Sequence, residues 1–257
     1  MEHKRKARVL LYDIETIWIE GGTWGIWEQD VVIVSRDWHL LSVAWKWLGD
    51  RQIHVIGLPD FPLYKKEPRN DIELVKKINA LFNEADVVIA HNGDQFDQKK
   101  SQARMIIQGV PPPSPYLQID TKKVAKKHFA FTSNKLDDLG EYLGVGHKLE
   151  AGGKYLWKNC IDGNMSAWRK MKKYNRQDVV LLEKVYLKLR PWMTTHPSVN
   201  LITGIVDGCP MCGSKNVQKR GFRYSKTNIY QRIFCGDCLG WSRTRVPEKI
   251  TKLEYTT

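Results

Sequence analysis

Two acidic residues near the start of the chain have a spacing that could support chemistry. Asp13 and Glu15 follow an apolar run, Leu10 to Tyr12, that is typical of a buried strand. Because side chains alternate along a strand, carboxylates at i and i+2 lie on the same face. Such neighbours repel each other, so the pattern predicts a raised pKa, a basic neighbour or a bound cation. The alternative is an ordinary solvated strand end.

A second group lies in residues 174–189, which have helical periodicity. At about 100° per residue, Tyr174 and Asp178 fall on the apolar stripe formed by Leu181, Leu182, Val185 and Leu189. A carboxylate on a core-facing stripe is costly unless it is paired or ligates a metal. The alternative places Asp178 in a first helical turn, where the helix dipole favours an acid.

A third group follows a predicted buried strand, Asp86 to His91. The strand breaks at Gly93, and a helix is predicted from Phe96 to Gln108. Asp94 suits the N-cap of this helix. Asp97, in its first turn, is either a functional carboxylate or an ordinary first-turn residue.

Taken together, the three groups form motifs in a recognisable order. They read Asp-x-Glu at Asp13 and Glu15, Asn-x-x-x-Phe-Asp over residues 92–97, and Tyr-x-x-x-Asp over residues 174–178. The set resembles the tyrosine variant of the DEDD superfamily of 3′–5′ exonucleases, and is most similar to proofreading domains of family B DNA polymerases. The segment Leu136–Gly144 also resembles the one that precedes the third motif in that family.

The resemblance covers roughly residues 7–190 and implies a ribonuclease H-like fold with two Mg²⁺ or Mn²⁺ ions. It implies that Asp13 bridges both ions, that Glu15 and Asp178 complete the first ion's ligands, and that Asp97 serves the second through water. Tyr174 would orient the attacking water, since a phenol with a pKa near 10 is a poor base unaided.

Three further residues are expected near the substrate. Thr16 resembles the residue that lines the pocket for the 3′-terminal nucleotide, and Phe96 one that packs beside it, although both could be core or turn residues. Asn92 is either a substrate contact or a loop hydrogen-bonding residue. The Trp- and Gly-rich segment from Ile17 to Trp27 either forms a flap over the substrate or packs against the sheet edge.

Four of the five cysteines form two Cys-x-x-Cys pairs near the C-terminus. The pairs are Cys209 with Cys212 and Cys235 with Cys238, a spacing that predicts one structural Zn²⁺. Iron–sulfur ligation and a redox pair are alternatives. An odd cysteine count without a secretory signal argues against disulfides, and Cys160 is expected to be a reduced, partly buried thiol without a role.

Residues 217–234 between the pairs predict a hairpin around Ser225 to Thr227, with basic and aromatic side chains interleaved. This layout resembles zinc ribbons of nucleic-acid enzymes, in which cations engage phosphates and aromatic rings stack on unpaired bases. The alternatives are that its aromatics fill a miniature core or that it binds protein. Those residues are Arg220, Phe222, Arg223, Tyr224, Tyr230, Arg232, Trp241, Arg243 and Arg245.

The charge of the chain favours a polyanionic partner. Its formal net charge is +13, and residues 209–257 contribute over half of this excess with ten Lys or Arg against three Asp or Glu. A basic surface kept for solubility is the alternative. The charge therefore favours nucleic acid as the partner, and the resemblance to polymerase proofreading domains implies DNA more than RNA, together with other replication or repair proteins.

The predicted organisation is an α/β chain of two domains. A ribonuclease H-like domain, a mixed β-sheet flanked by helices, is expected at residues 1–192. A helix-poor linker follows at 193–206, and a small β-rich zinc-ribbon domain at 207–257. Without an apolar run of membrane length or a secretory signal pattern, we expect a cytoplasmic protein with no membrane partner.

The leading interpretation is a metal-dependent 3′–5′ exonuclease that acts on single-stranded or frayed nucleic acid. Its alternatives are an RNA-trimming exoribonuclease and a structure-directed endonuclease on the same site. A non-catalytic nucleic-acid-binding protein is a rival of another class, although it need not retain costly clustered charge.

Overall fold

The first strand of the chain lies at the centre of a five-stranded mixed sheet in the computed structural model, which describes residues 5–27, 29–150, 152–205 and 207–248. Its order is β5-β4-β1-β6-β7, with β4 and β5 in an antiparallel meander and β6 and β7 parallel to β1. The strands are β1 (Val9–Thr16), β2 (Glu20–Gly22), β3 (Ile33–Arg36), β4 (Leu40–Trp47), β5 (His54–Gly57), β6 (Val87–Ala90) and β7 (Leu117–Asp120).

Helices cover this sheet, because parallel strands require crossover connections. Leu10 and Leu11 point to opposite faces of β1, yet neither is exposed, so both faces of the central strand are buried. The core also contains Cys160, which is fully buried. The helices are α1 (Ile72–Glu84), α2 (Asp97–Ile107), α3 (Thr121–His128), α4 (Leu136–Tyr142), α5 (Tyr155–Ile161) and α6 (Met165–Leu189), with 3-10 turns at Leu58–Asp60 and Pro62–Lys65.

Two alternatives from the sequence are wrong at the helix ends. Helix α6 begins at Met165, not Tyr174, so Asp178 lies in mid-helix and cannot owe its position to a first-turn dipole. Asp94 does not cap α2, since Phe96 precedes that helix without a side-chain cap and the Asp94 carboxylate pairs with Lys123 instead.

The chain divides into two compact units, the first being Arg8–Val185. The second holds the described residues among 1–7 and 186–257. It contains a 3-10 turn at Arg190–Trp192, helix α7 (Val199–Thr203) and a small antiparallel sheet, β10-β9-β8, formed by β8 (Val217–Tyr224), β9 (Ile229–Cys235) and β10 (Trp241–Arg243). Because α7 lies in the predicted linker, the expectation of a helix-poor segment is wrong there. The domain limits 1–192, 193–206 and 207–257 stay a prediction.

The architecture predicted from sequence is confirmed: a mixed sheet flanked by helices, and a separate small antiparallel sheet with a four-cysteine cluster, of which Cys235 lies in β9. In the Trp-rich segment, Trp24 and Trp27 are 88% and 79% exposed, so neither packs against the sheet edge. A role for this segment as a flap stays a prediction. None of the helices in the described ranges combines the length and apolarity needed to cross a bilayer.

Candidate metal-dependent active site

Three predicted carboxylates converge at the end of β1. Ligand oxygens of Asp13, Glu15 and Asp178 all lie within 4.8 Å of one another. Strand alternation brings the first two to one face, and the continuous helix α6 brings Asp178 to them from a distant part of the chain. Asp178 is 1% exposed, so the cluster combines like charge with burial.

Asp97 adjoins this cluster without being one of its three members. It is the first residue of α2, is 3% exposed, and accepts a hydrogen bond from the Ile14 backbone amide at 3.1 Å. This bond ties the start of α2 to β1 between Asp13 and Glu15. The charge of Asp97 contributes to raising the pKa of Asp13 after burial and the Asp178 charge.

Burial and mutual repulsion raise the pKa values of these four acids. Burial, with the Asp178 charge next, raises the pKa of Glu15 to about 8, and burial raises the pKa of Asp97 to about 7. The pKa values of Asp13 and Asp178 are raised by burial as well. Each of these acids would release its proton more readily beside a compensating cation.

The cluster fits a hard divalent cation by its donor set and by one unsatisfied atom. Carboxylate oxygens are the ligands that Mg²⁺ and Mn²⁺ prefer. Asp178 Oδ1 is buried and accepts no hydrogen bond from any residue that the structure describes. A buried acceptor without a donor is costly, so a cation at this position would remove that cost.

One cation of the protein already faces the cluster. Lys148 Nζ lies 2.6 Å from Asp178 Oδ2 and 3.5 Å from the Tyr174 hydroxyl. Although burial favours the neutral amine, the carboxylates of Asp178 and Asp13 raise the pKa of Lys148 above its ordinary value. Lys148 therefore stays charged and offsets one of the negative charges.

The loop that carries Lys148 is held by the segment Leu136–Gly144. Asp137 Oδ1 accepts a hydrogen bond from the Lys148 backbone amide at 2.6 Å. A Cβ at Gly140 would lie 2.4 Å from the Gly146 carbonyl oxygen and 2.8 Å from a Leu181 methyl carbon. Glycine at 140 thus lets this loop and α6 pack closely against α4.

Asn175 positions Asp13. Its amide nitrogen donates to Asp13 Oδ2 at 2.6 Å and to the Asp13 carbonyl at 3.2 Å, and its Oδ1 accepts from the Ser42 hydroxyl at 3.0 Å. Both Asn175 and Ser42 are fully buried. The orientation of this carboxylate is therefore fixed by α6 and β4 together.

Trp157 on α5 completes the surroundings of Glu15 and Tyr174. Its indole nitrogen donates to Glu15 Oε2 at 3.1 Å, and its ring meets that of Tyr174 edge-on at 5.9 Å between centroids. Burial, with the Asp178 charge next, raises the pKa of Tyr174 to about 12. The phenol stays protonated near neutral pH, which favours orientation of water over proton abstraction.

Thr16 lines a cleft beside these residues. The cleft has a volume of about 390 Å³ and is lined by Thr16, Ile17, Trp18, Lys100, Lys154 and Trp157. Phe96 is absent from that lining; it packs at the edge of the core, with the Lys100 ammonium 5.4 Å from its ring. The cleft combines aromatic walls with two cations, a combination suited to a nucleotide.

Asn92 has a conformational role. It adopts φ 64°, a left-handed conformation that Asn tolerates better than most residues, and its backbone amide donates to Asp120 Oδ1 at 2.9 Å. That its side chain also contacts substrate stays a prediction.

The four predicted zinc ligands lie together in the second unit, with Sγ atoms of Cys209, Cys212, Cys235 and Cys238 within 4.8 Å of one another. In two of the pairs, Cys209–Cys238 and Cys212–Cys235, the sulfurs are 3.6 and 3.7 Å apart. These separations exceed a disulfide bond and match the edge of about 3.8 Å expected for sulfurs tetrahedrally arranged around Zn²⁺. Burial raises the pKa of the Cys209 thiol to about 11, and the backbone amides of Met211 and Cys212 act to lower it.

Sequence reasoning missed Lys148, Trp157 and Asn175. A signal existed for Asn175, since at one residue after Tyr174 it falls near Leu182 on the buried stripe, where an amide needs partners. No periodicity marks Lys148 or Trp157, because both reach the site from short segments whose paths depend on tertiary packing.

The fold and the site together define a class of protein. Its α/β sheet has two acids on the central strand, Asp13 and Glu15, and they lie beside a third acid, Asp178, on helix α6. A family model described as the RNase_H superfamily matches residues 53–190. The chain belongs to the RNase H superfamily. The matched range includes Asp97, Tyr174 and Asp178, whereas Asp13 and Glu15 precede it.

Comparison with solved structures agrees with this fold. The family B DNA polymerase from the hyperthermophilic archaeon Pyrobaculum calidifontis is similar with a TM-score of 0.55 and 17% sequence identity over 89% of this chain. The match spans 32% of that polymerase, about a third of its length. No protein with curated annotation matches the sequence.

Proposed function

We propose that this chain is a metal-dependent nuclease, a DEDD-type 3′–5′ exonuclease of the tyrosine variant that acts on single-stranded or frayed nucleic acid, with DNA favoured over RNA. The observation that carries the proposal is the convergence of Asp13, Glu15 and Asp178, whose ligand oxygens lie within 4.8 Å of one another, with the unsatisfied buried Oδ1 of Asp178 among the carboxylate oxygens and Asp97 adjoining. Membership of the RNase H superfamily supports nuclease chemistry on this scaffold.

Asp13, Glu15 and Asp178 would hold one Mg²⁺ or Mn²⁺ ion, and Asp97 with Asp13 would hold a second. When bound, such ions supply a nucleophilic hydroxide near neutral pH and neutralise charge on the attacking and leaving oxygens. The protein's own contribution is orientation. Asn175 fixes Asp13, Trp157 fixes Glu15, and the Ile14 amide fixes Asp97.

Tyr174 would orient the attacking water through a hydroxyl that keeps its proton. Lys148, charged and within 3.5 Å of that hydroxyl, would place positive charge where a phosphate approaches. The cleft beside Thr16 and Trp157 would accept the terminal base, and Lys100 and Lys154 its phosphates.

The decisive experiment incubates 5′-labelled DNA and RNA, single- and double-stranded, with Mg²⁺, Mn²⁺ or no added divalent ion. We expect stepwise shortening from the 3′ end of single-stranded DNA that needs the ion and is lost in Asp178→Ala. Preference for RNA, internal cuts, or binding without cleavage would each replace the proposal by the corresponding alternative.

A further inference from the structure

The small sheet of the second unit has one face on which arginines and aromatic rings alternate, which we call the arginine–aromatic face. On β9, Tyr230, Arg232 and Phe234 occupy alternate positions and therefore share a face. On β10, Trp241 lies opposite Phe234 and Arg243 opposite Arg232. On β8, Arg223 lies opposite Tyr230. Paired residues share a face, so all six belong to one surface.

The contacts across this face form three stacked pairs. The Arg243 guanidinium lies 3.7 Å from the centroid of the Tyr230 ring, and that of Arg232 lies 4.9 Å from Trp241. Arg220 also reaches the face, 4.7 Å from the Phe234 ring. A guanidinium that stacks through its flat surface keeps in-plane N–H donors available for phosphate oxygens.

A bulge in β8 orders these arginines. Gly221 has φ 68°, and a Cβ there would lie 3.5 Å from Arg232 Nη2. The Arg220 carbonyl beside it accepts a hydrogen bond from Arg232 Nε at 2.9 Å. The backbone thus holds one of the cations in place before any ligand arrives.

The charge of the face is not neutralised within the protein. Across the described part of the chain, no carboxylate forms an ion pair with Arg220, Arg223, Arg232 or Arg243. All four are exposed, and Trp241 is 44% exposed. The nearby acid Asp237 is directed to Ser214 and Asn216 instead.

We infer that this face binds single-stranded nucleic acid, with unpaired bases stacking on Tyr230 and Trp241 and phosphates contacting the arginines. The exposed ring of Trp241 and the partly exposed ring of Tyr230 offer the sequence-tolerant stacking that unpaired bases require, whereas a duplex keeps its bases stacked inside. The surplus of fixed cations matches a polyphosphate. The inference concerns a surface outside the candidate active site and holds whether or not the chain hydrolyses nucleic acid.

The opposite face of the same sheet provides matched controls. Tyr224 and Lys219 lie there, opposite Ile229 and Ile233, and both are exposed. Tyr224→Ala therefore matches Tyr230→Ala, and Lys219→Gln matches Arg232→Gln. Each pair removes the same kind of group from the two faces of one sheet.

The test measures binding of fluorescein-labelled oligothymidine, 20 nucleotides long, by anisotropy. It uses the zinc-loaded full chain without added Mg²⁺ or Mn²⁺, and a gel verifies that the probe stays intact. We expect Tyr230→Ala to weaken binding about tenfold through lost stacking. Arg232→Gln should also weaken it and reduce the slope of log affinity against log salt by about one. The two control variants should change affinity less than about threefold. Tyr224 lies on the other face, and the charge of Lys219 is too far from the bound phosphates to escape screening by salt.

Zinc content and melting temperature show whether each variant folds, and Tyr230→Phe should retain affinity. If Tyr230→Ala loses zinc, the Arg232→Gln and Lys219→Gln pair decides. Equal losses from the two faces would overturn the inference. Equally tight binding of a blunt duplex, or displacement of the probe by polyglutamate as readily as by unlabelled oligothymidine, would also overturn it, because stacking on bases would then play no part.

Discussion

Asp178 combines three properties that bear on catalysis: burial, proximity to two other acids and an unsatisfied oxygen. Asp178→Ala, like Asp13→Ala, should abolish hydrolysis in the presence of Mg²⁺ or Mn²⁺. It should not unfold the protein, because Lys148, which loses its partner, is 28% exposed and still faces the Asp13 carboxylate. Gel assays on labelled DNA and thermal melts measure the two effects. Full activity in both alanine variants would refute the site.

Tyr174 is assigned to water orientation because its hydroxyl keeps its proton. Tyr174→Phe should slow hydrolysis up to about 100-fold, the scale expected when a reactant is misplaced. Its affinity for Mn²⁺, measured by calorimetry, should change little. Tyr142→Phe, at an exposed tyrosine, is the control. A rate equal to that of the unmodified protein would show that the hydroxyl has no such role.

Lys148 compensates the charge of Asp178 when no metal ion is bound, so its removal should lower stability most in the absence of divalent ions. Lys148→Gln should lower the free energy of unfolding by about 2 kcal/mol, because it leaves a buried carboxylate uncompensated. Added Mn²⁺ should raise the melting temperature of this variant more than that of the unmodified protein.

A double variant supplies the control for Lys148. With Asp178→Asn in addition, the carboxylate that pairs with Lys148 is gone, so the two losses should not add. Additive losses in denaturant titrations would mean that the ion pair contributes nothing to the fold.

Among the secondary-structure elements, His91 links the end of β6 to the start of α3 and to the segment that precedes α4. Its Nε2 lies 3.0 Å from the Asn134 carbonyl and its Nδ1 lies 2.8 Å from the Thr121 hydroxyl. A carbonyl only accepts, so Nε2 carries the proton and the neutral ring satisfies both contacts. Burial lowers the pKa of His91 to about 4.

This lowered pKa predicts a pH dependence of stability. Between pH 6.5 and pH 4 the unfolded chain binds a proton at His91 that the folded chain does not, so stability falls as pH falls. The loss from this residue should reach up to about 3 kcal/mol at the acid end. His91→Gln should lack this loss, so the difference in unfolding free energy between the unmodified protein and the variant, measured by denaturant titration at each pH, should decrease toward pH 4. Parallel curves for the two proteins would contradict the assignment.

The regular elements were predictable where one pattern dominated. The apolar run predicts β1, the apolar stripe predicts α6, and the two Cys-x-x-Cys pairs predict the cysteine cluster. Each of these patterns is local, so it can be recognised without knowledge of tertiary contacts. Helix α6 begins nine residues before the predicted start at Tyr174, because residues 165–173 continue the same helix with a less distinctive apolar stripe.

The acidic residues of the site were predictable from the sequence, whereas the residues that hold them in position were not. Asp13, Glu15 and Asp178 stand out in the sequence because a carboxylate in an apolar strand or on an apolar helix stripe is costly to bury. Lys148 and Trp157 lie in short segments whose direction depends on contacts such as Gly140 against the Gly146 carbonyl. Those contacts join residues that no local pattern relates.

For the whole molecule, the uneven charge predicts distinct contributions from the two ends of the chain. Removing residues 205–257 deletes ten Lys or Arg and the cysteine sheet. Affinity for single-stranded DNA should fall and its dependence on salt should flatten, since fewer counterions are released on binding. Hydrolysis of a mononucleotide p-nitrophenyl ester should persist. An unchanged affinity and salt slope would assign the basic C-terminal residues to solubility instead.

The burial of Cys160 makes it an internal chemical reporter. Burial, with the Glu15 charge next, raises the pKa of this thiol to about 12, so electrophiles should not label it while the core stays closed. Ellman's reagent should therefore count four thiols once a chelator has stripped the cysteine cluster, and a fifth only after denaturant opens the first unit. The order of appearance would time the loss of the two units separately within one sample, without any engineered probe.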